Sequence, residues 1–397
     1  MAFRKRNVAL TRSDPSSDTV SSPTSPQAAN VPQPSPGVRP SPIDGRPTTS
    51  TGTPSLDAVL AGHAGLALGN SLLIGESGTT DYAGALLRFY ASEGVLQGHV
   101  VHVVGLGEVW GRELPGIAES RDEEKRRQRS EREEKMKIAW RYESLGEFGG
   151  RNANRVPTQT KTDGAEAESI FCHTFDLAKR LSLPSNTSIN YIQIPRTAPQ
   201  ASPFTGIIQN LQQKLETSPP SSIHRLIIPS ILSPAYYPPS SSQPQHVLQF
   251  LHALRALLRQ YPTRLTAIST IPLSLYPRST GLIRWMEHLS DGVFELSPFP
   301  YSASQALSTS SAATKEEERP QGMFAVHKLP VWSDKGGGGA VEGLGEDLAF
   351  TLSRRKFTIA KFSLPPMEGD QEAQEEAMRD VAGERGKTMP SKAELEF

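Results

Sequence analysis

Apolar and polar residues follow a repeated strand-and-helix pattern, which is clearest in the first third of the chain. The apolar run Leu72–Ile74 is followed by a loop of small polar residues, Gly75–Thr80. Asp81–Glu93 then carries Tyr, Leu and Phe at helical spacing, and His99–Val104 is mostly apolar again. Strand, loop, helix and strand in this order predict two parallel strands joined by a right-handed crossover.

The same alternation continues towards the C-terminus and sets the fold class. A helix is predicted to start with Thr53 as its cap and Pro54 at its first position. We predict an α/β fold in which helices flank a mostly parallel sheet, with antiparallel strands added at its C-terminal edge. The remaining core segments are predicted at Ile170–Phe175, Tyr191–Ile194, Ile207–Leu215 (helix), Arg225–Pro229, His246–Gln260 (helix), Leu265–Thr270, Thr280–Leu289 (helix), Gly292–Leu296, Gly322–Leu329 and Lys356–Phe362.

Stretches without a core pattern divide the chain. Residues 1–49 are rich in Ser and Pro after a basic start, and we predict a disordered tail there. One domain is expected over residues 50–365, and residues 366–397 form an acidic tail without an apolar face. Charged or small polar residues predict insertions within that domain near 112–136, 146–168 and 304–320.

Composition limits the classes of function. Lys+Arg and Asp+Glu balance at 42 each, so an RNA site must be a local patch or be shared with partners. Cys172, the single cysteine, excludes an internal disulfide and suits a reducing compartment. Cys172 and His173 lie in an apolar run and are predicted core residues rather than metal ligands. The absence of a long apolar run excludes a membrane span, and a soluble intracellular protein is expected.

The loop after the first strand is placed like a phosphate-binding loop but lacks its chemistry. The P-loop motif requires a Lys for the terminal phosphates, followed by a Ser or Thr for Mg²⁺. Counted from Gly75, Asp81 and Tyr82 take these two positions. The strand at Arg225–Pro229 also ends in Pro229 and Ser230, where an acid would hold Mg²⁺. Both departures argue against ATP hydrolysis by the chain alone.

Two interpretations of the loop remain open at this stage. The first is a tight turn between strand and helix with no ligand. The second is weak contact with a phosphate at a subunit interface, with a neighbour supplying the cation. The candidate nucleotide-binding residues are Gly75, Glu76, Ser77, Gly78, Thr79 and Thr80.

Seven sequence blocks, in order, make the chain resemble the Elongator complex protein 4 family. No single block decides the resemblance, but the ordered set covers nearly all of the predicted domain. The blocks are FRKRN (Phe3–Asn7), SPxxG (Ser41–Gly45), STGTPSLDAVL (Ser50–Leu60), KIAWRYE (Lys137–Glu143), CHTFDLAKRL (Cys172–Leu181), RLIIPSILSPAYYPP (Arg225–Pro239) and DLAFTLSRRKFTIAKFSLPP (Asp347–Pro366).

The resemblance implies a RecA-like fold and an accessory role in tRNA modification. Such a chain would form a hetero-hexameric ring with two sister RecA-like subunits and would join the catalytic Elongator subcomplex. The ring would bind tRNA during modification of wobble uridines to carboxymethyl-type products, in cytoplasm and nucleus. No catalytic residue, metal or cofactor is assigned to this chain, and ATP at an interface between ring subunits is left open.

In RecA-like rings the loops after the central strands face nucleic acid, which selects the candidate RNA contacts. Tyr236 and Tyr237 follow one such strand, and Tyr276 and Arg278 follow the next. The basic triplet Arg354, Arg355 and Lys356 is a further candidate, expected at a strand edge. Packing against a partner subunit is the alternative, favoured for Tyr236 and Tyr237, whereas RNA is favoured for Arg278.

Two other functions compete with the accessory RNA-binding subunit. One is an active RecA-type ATPase, which the residues at positions 81 and 229 disfavour. The other is an assembly scaffold without any RNA contact, which only a tRNA-binding measurement separates from the first interpretation.

Overall fold

A computed structural model gives the fold of residues 35–60, 62–118, 170–183, 187, 189–195, 202–300, 319–330 and 347–362. Its strands are β1 (Val38–Pro40), β2 (Pro47–Thr49), β3 (Leu66–Ala67), β4 (Ser71–Glu76), β5 (Val100–Val104), β6 (Pro115–Ile117), β7 (Phe175–Arg180), β8 (Ile189–Ile192), β9 (His224–Ile228), β10 (Leu265–Pro272), β11 (Gly292–Pro298), β12 (Gly322–Lys328), β13 (Leu348–Leu352) and β14 (Phe357–Lys361). Its helices are α1 (Pro54–Val59), α2 (Tyr82–Leu96), α3 (Glu108–Arg112), α4 (Thr205–Thr217), α5 (Pro244–Gln260) and α6 (Gly281–Leu289), and a 3₁₀ turn spans Pro239–Ser242.

A nine-stranded sheet in the order β14-β13-β12-β11-β4-β10-β9-β5-β8 forms the centre of the fold. The six strands from β11 to β8 run parallel to their neighbours, and β12, β13 and β14 add antiparallel pairs at one side. The predicted α/β fold with a mostly parallel sheet and C-terminal antiparallel additions is therefore confirmed. Strands β9 and β10 are buried along almost their whole length, as expected for central strands of a parallel sheet covered on both faces.

Helices bury the two faces of this sheet in different ways. Helix α5 is amphipathic and packs with α4 and α6 in one core, which contains Phe250 and Leu254. Helix α2 lies in the other core and is buried almost all round, including Leu86 and Tyr90. A helix that is apolar on every side needs cover on every side. The strands β1-β2-β3 and β6-β7 form two small sheets separate from the main sheet.

The predicted disorder of residues 1–49 is wrong for its last part. Residues 38–40 and 47–49 are strands, and Thr48 and Thr49 are fully buried. The guanidinium of Arg225 donates from Nη2 to Thr49 Oγ1 at 2.6 Å and from Nη1 to the Ser50 carbonyl oxygen at 2.8 Å. Polar contacts with a distant residue therefore hold Thr49 and Ser50 at the end of this segment. Residues 1–34 lie outside the described residues.

Other predicted boundaries changed in smaller ways. Residues 115–117 pair with β7, so the start of the predicted insertion at 112–136 belongs to the fold. Strand β13 was not predicted, because its five residues follow a glycine-rich stretch and are half exposed at one end. Helix α1 begins after Thr53 with Pro54 in its first turn, but the Thr53 side chain makes no capping hydrogen bond. Residues 119–136, 146–168, 304–318 and 366–397 lie outside the described residues.

In the described parts of the chain, no helix is long and apolar enough to cross a membrane.

Candidate functional site

The candidate loop lies at the carboxyl ends of the parallel strands, between β4 and α2. Strand β4 is central and pairs in parallel with β10 on one side and β11 on the other. This edge is where open parallel sheets bind ligands. The Ser274 hydroxyl fixes the loop by accepting from Gly78 N at 2.8 Å and donating to the Gly78 carbonyl oxygen at 3.1 Å. Gly78 has φ +89°, which favours glycine.

The side chain of Glu76, the last residue of β4, fills the position that an anion would take at the start of α2. Its Oε1 accepts from Tyr82 N at 2.9 Å and from Thr80 Oγ1 at 2.7 Å, and its Oε2 accepts from Ala83 N at 2.9 Å. Tyr82 and Ala83 are the first residues of the helix, whose free N–H groups and positive dipole end attract negative charge. The chain thus supplies its own anion here.

Burial and hydrogen bonding act in opposite directions on the Glu76 carboxyl. Burial raises its pKa above the ordinary value, the hydrogen bonds from Thr80, Ala83 and Tyr82 lower it, and the nearby Asp81 raises it. The net direction is upward. Asp81 places a second carboxylate at the same helix end, and its Oδ2 lies 3.2 Å from Arg88 Nη1. Two acidic groups at the helix start oppose the entry of a triphosphate.

Tyr82, at the position where the P-loop motif has its Mg²⁺ ligand, also packs within the fold. The Tyr82 ring meets Phe350 of β13 edge to face, with ring centroids 4.8 Å apart. At the end of β9, Ser230 has φ +41° and its N–H donates to Thr270 Oγ1 at 2.7 Å. The residues at the two positions where a P-loop ATPase binds magnesium therefore make contacts within the fold instead. The geometry favours the tight-turn interpretation of Gly75–Thr80 over weak phosphate contact.

The tyrosines predicted to contact RNA separate into buried and accessible residues. Tyr237 is buried, its Oη donates to the Pro229 carbonyl oxygen at 3.3 Å, and its ring lies near Phe204. A buried ring cannot stack on a base, so the RNA prediction for Tyr237 is wrong. The Tyr276 hydroxyl donates to the Leu232 carbonyl oxygen at 3.0 Å and is partly buried. Of the adjacent Tyr236 and Tyr237, Tyr236 is 37% exposed and is the one that a partner could reach.

Arg278 lies in an ionic cluster. Its Nε donates to Glu287 Oε1 at 2.5 Å, and its Nη1 lies 3.4 Å from Glu295 Oε2. The Glu295 carboxylate also contacts His327 Nε2 at 2.8 Å. The hydrogen bond that Arg278 donates to Glu287 and the charges of both carboxylates raise the pKa of Arg278, against the lowering effect of burial. Two acidic partners neutralise this cation, which weakens its predicted preference for RNA phosphate.

The basic triplet lies in the hairpin turn between β13 and β14, not along a strand edge as predicted. The Ser353 N–H donates to the Lys356 carbonyl oxygen at 2.9 Å and closes the turn. Arg354 Nε donates to Asp176 Oδ1 at 2.9 Å and ties the turn to β7. Lys356 is exposed, and Arg355 is partly buried. A turn presents adjacent side chains in several directions, so the triplet does not form one flat basic face.

Cys172 and His173 are partly rather than fully buried. His173 donates from its backbone N to Glu93 Oε2 at 2.9 Å, and its Nδ1 lies 3.0 Å from Glu93 Oε1. Burial raises the pKa of the Cys172 thiol to about 12, which keeps it protonated. The described residues contain no group of three His, Cys, Asp or Glu side chains that could hold a metal ion.

Comparison with known proteins identifies the family. The family model described as PAXNEB protein matches residues 31–397. Elongator complex protein 4 of Schizosaccharomyces pombe is 33% identical over 348 residues, which cover 84% of this chain and 90% of that protein. The chain belongs to the Elongator complex protein 4 (PAXNEB) family. The resemblance inferred from the seven sequence blocks is confirmed.

More distant members of the Elongator complex protein 4 family match over similar lengths. The Saccharomyces cerevisiae protein is 29% identical over 364 residues, covering 83% of this chain and 76% of that protein. The Homo sapiens protein is 28% identical over 371 residues, covering 83% and 80%. The match therefore spans the whole fold and not only the loop after β4.

Sequence reasoning missed the role of Glu76 in this family member. Glu76 was assigned to the loop as a candidate nucleotide contact, whereas its carboxylate occupies the site itself. A signal was present: an acid at the end of a strand, six residues before a helix start, is within reach of the helix N–H groups.

Proposed function

We propose that this Elongator complex protein 4 family member is a non-catalytic subunit of the Elongator complex. It forms a hetero-hexameric RecA-like ring with two sister subunits, and the ring binds tRNA during wobble-uridine modification. The relatives are named as proteins of the Elongator complex, which supports membership. The observation that carries the non-catalytic assignment is the Glu76 carboxylate at the start of α2.

The sheet order supports a RecA-like origin. In the five adjacent strands β11-β4-β10-β9-β5, the strand before the loop lies between β10 and β11 and is separated from β9 by β10. A nucleotide bound after β4 would then have the end of β9 within reach, where an acid would hold magnesium. That end carries Pro229 and Ser230. Any ATP in the assembled ring would therefore depend on side chains of a neighbouring subunit.

The loop edge of the sheet supports a role in protein contacts. Leu275 and Trp285 are large apolar side chains that are more than half exposed near this edge. Tyr236, in the loop after β9, is also exposed. Exposed Trp, Tyr and Leu favour protein interfaces. Since Arg278 is neutralised by Glu287 and Glu295, a scaffold without RNA contact at this edge is the second candidate function.

Complementation of a strain that lacks the chain tests the proposal against an ATPase. We expect Ser77→Ala/Thr79→Ala to restore modified wobble uridine fully, because a non-catalytic subunit needs no loop hydroxyl for magnesium or phosphate. For an active ATPase in which these loop hydroxyls hold the phosphate, the same pair would lower modification severely. The measurement is the content of carboxymethyl-type nucleosides in purified tRNA.

Binding of tRNA by the assembled ring separates the RNA-binding subunit from the scaffold. We expect Arg354→Ala/Arg355→Ala to lower affinity about tenfold and to reduce its salt dependence. Arg284→Ala, on the exposed side of α6, removes the same type of charge elsewhere and is the matched control. Equal affinities for wild type and the double variant would favour the scaffold.

A further inference from the structure

The nine-stranded sheet has two outer strands, β14 and β8, and each pairs with a neighbour on one side. The unpaired side of an outer strand is a template for another strand, so proteins usually cover it or place charge there. The register of each outer strand determines which of its main-chain groups point away from the sheet. The two edges of this sheet differ in how they are protected.

The outer edge of β14 is protected. Phe362 N donates to the Asp347 carbonyl oxygen, so by alternation the main-chain groups of Phe357 and Lys361 point outwards. The Phe357 carbonyl oxygen accepts from Ser55 Oγ of α1 at 2.8 Å, and α1 packs against β14. Lys361 is exposed and brings a positive charge to the edge. Cover by a helix and an edge lysine both discourage the addition of a further strand.

The outer edge of β8 has neither kind of protection among the described residues. Gly105 N donates to the Ile192 carbonyl oxygen at 2.9 Å, which places the main-chain groups of Ile192 towards β5. By alternation, those of Ile189 and Tyr191 point outwards, and no described residue forms a hydrogen bond with them. The strand reads INYI, without a Lys, Arg or Pro that would discourage pairing. This edge is open to another strand.

The side chains beside the β8 edge determine what a further strand would carry. On one face, Ile189 and Tyr191 are partly buried and lie against α3 at Gly111. Val109 of α3 is 70% exposed. On the other face, the Asn190 amide donates to a side chain of α4 at 2.6 Å. An added strand would therefore need apolar residues on the α3 side, alternating with polar residues on the α4 side.

A second copy of this chain is a poor occupant of the β8 edge. Because β8 has four residues, two copies paired through it alone would form about four main-chain hydrogen bonds, whereas a typical interface has about ten. A neighbouring subunit of a larger assembly can combine an added strand with further contacts. The proposed ring supplies such neighbours.

We propose that the outer edge of β8 receives an extended segment of a neighbouring subunit as a tenth strand of this sheet. The segment alternates apolar and polar residues and belongs to one of the two sister subunits, so the inference rests on the proposed ring. Main-chain hydrogen bonds supply affinity in this type of contact, and the alternate side chains supply specificity.

The test is amide hydrogen exchange of the full chain, resolved to single residues, alone and in the assembled ring. The C=O and N–H of one trans peptide point in opposite directions, so the N–H groups of Tyr191 and Gln193 face outwards. We expect exchange at both to slow at least about tenfold on assembly. Asn190 and Ile192, whose N–H groups bond to β5, are internal controls with slow exchange in both states. Unchanged fast exchange at Tyr191 and Gln193 would overturn the proposal.

A proline after β8 separates strand pairing from mere cover. Gln193 is exposed, and Gln193→Pro removes an N–H group that makes no bond to a described residue, so the fold should be kept. We expect this variant to associate with the sister subunits about tenfold more weakly, whereas Gln193→Ala keeps the N–H and should associate like wild type. Equal association of the two variants would overturn the added strand. The exchange measurement on wild type decides if the proline variant does not fold.

Three further results would assign the failure. A dimer of the isolated chain with slow exchange at Tyr191 would identify a second copy as the occupant and overturn the sister-subunit assignment. A ring that assembles and binds tRNA while Tyr191 and Gln193 exchange fast would overturn the strand contact alone, and the proposed function would stand. Failure of the chain and its two sister subunits to form a ring would overturn both.

Discussion

Replacing Arg225 with methionine is expected to destabilise the fold by about 3–5 kcal/mol, the cost of breaking a buried charged network. Arg225 is fully buried on β9. Its Nε donates to His99 Nδ1 at 2.9 Å, and its Nη1 donates to the carbonyl oxygens of Ser50 at 2.8 Å and Tyr90 at 3.1 Å. Methionine fills the volume but leaves these acceptors without a donor.

The measurement is chemical unfolding of wild type and variant under identical conditions. Arg284→Met, at an exposed position on α6, is the matched control and should change stability by less than about 0.5 kcal/mol. Because Arg225 also holds Thr49 and Ser50, limited proteolysis of the variant should begin within residues 35–50. Equal stability of Arg225→Met and wild type would show that the network does not support the fold.

Acid is expected to destabilise the protein strongly between pH 6.5 and pH 4, through three buried histidines. Burial lowers the pKa of His99 to about 3, helped by the Arg225 charge, and that of His102 to about 3, helped by His224 and Lys214. Burial and the Arg264 charge lower the pKa of His224 to about 4. The ordinary value in the unfolded chain is 6.5.

The hydrogen bonds of His102 and His224 explain why the folded state does not bind these protons. Asn190 Nδ2 donates to His102 Nδ1 at 3.0 Å, so His102 Nε2 must donate to His224 Nδ1 at 2.9 Å. His224 Nε2 is then left to donate to Ser218 Oγ at 2.8 Å or Ser222 Oγ at 3.0 Å. Each ring is neutral, with one acceptor and one donor nitrogen. A further proton on either histidine ring would break this series of hydrogen bonds.

The sign of the effect follows from proton binding. Below pH 6.5 the unfolded chain binds protons that the folded chain does not, so stability falls as the pH falls. At pH 5 each histidine accounts for a loss of about 2 kcal/mol. Asp57 acts in the opposite direction, because burial raises its pKa to about 6 and the folded state gains about 1 kcal/mol on protonation by pH 5. The net loss is about 4–5 kcal/mol.

Unfolding measured from pH 7.5 to pH 5 checks this expectation. The His102→Gln variant should reduce the pH dependence by about one proton, whereas His252→Gln, at an exposed position on α5, should leave it unchanged. Stability that does not fall between pH 7 and pH 5 would contradict the histidine account.

The parts of the fold that periodicity predicts are those stabilised by apolar contact. Strand β9 and helix α5 follow directly from runs and faces of apolar residues, and both were predicted within two residues of their ends. Strands β1 and β2 were missed because their burial depends on polar contacts, among them the hydrogen bond from Arg225, more than 170 residues away, to the buried Thr49. No local pattern carries that information.

The candidate site shows the same limit. Asp81 and Pro229 could be recognised from the sequence because a motif fixes what should stand there. The burial of Tyr237 and the pairing of Arg278 with Glu287 depend on how separate elements pack. The predicted RNA contacts were chosen by residue type and loop position. Neither property shows whether a side chain is already buried or paired with another residue.

The central claim, that Glu76 occupies the phosphate position, is tested most directly by titrating MgATP against the isolated chain. We predict no saturable binding by wild type at millimolar nucleotide, and measurable binding by Glu76→Ala/Asp81→Lys, which removes both carboxylates and restores the cation. The Asp81→Lys variant alone should not bind, because Glu76 still holds the N–H groups of Tyr82 and Ala83. Saturable binding of MgATP by the wild-type chain, with steady turnover, would contradict the account.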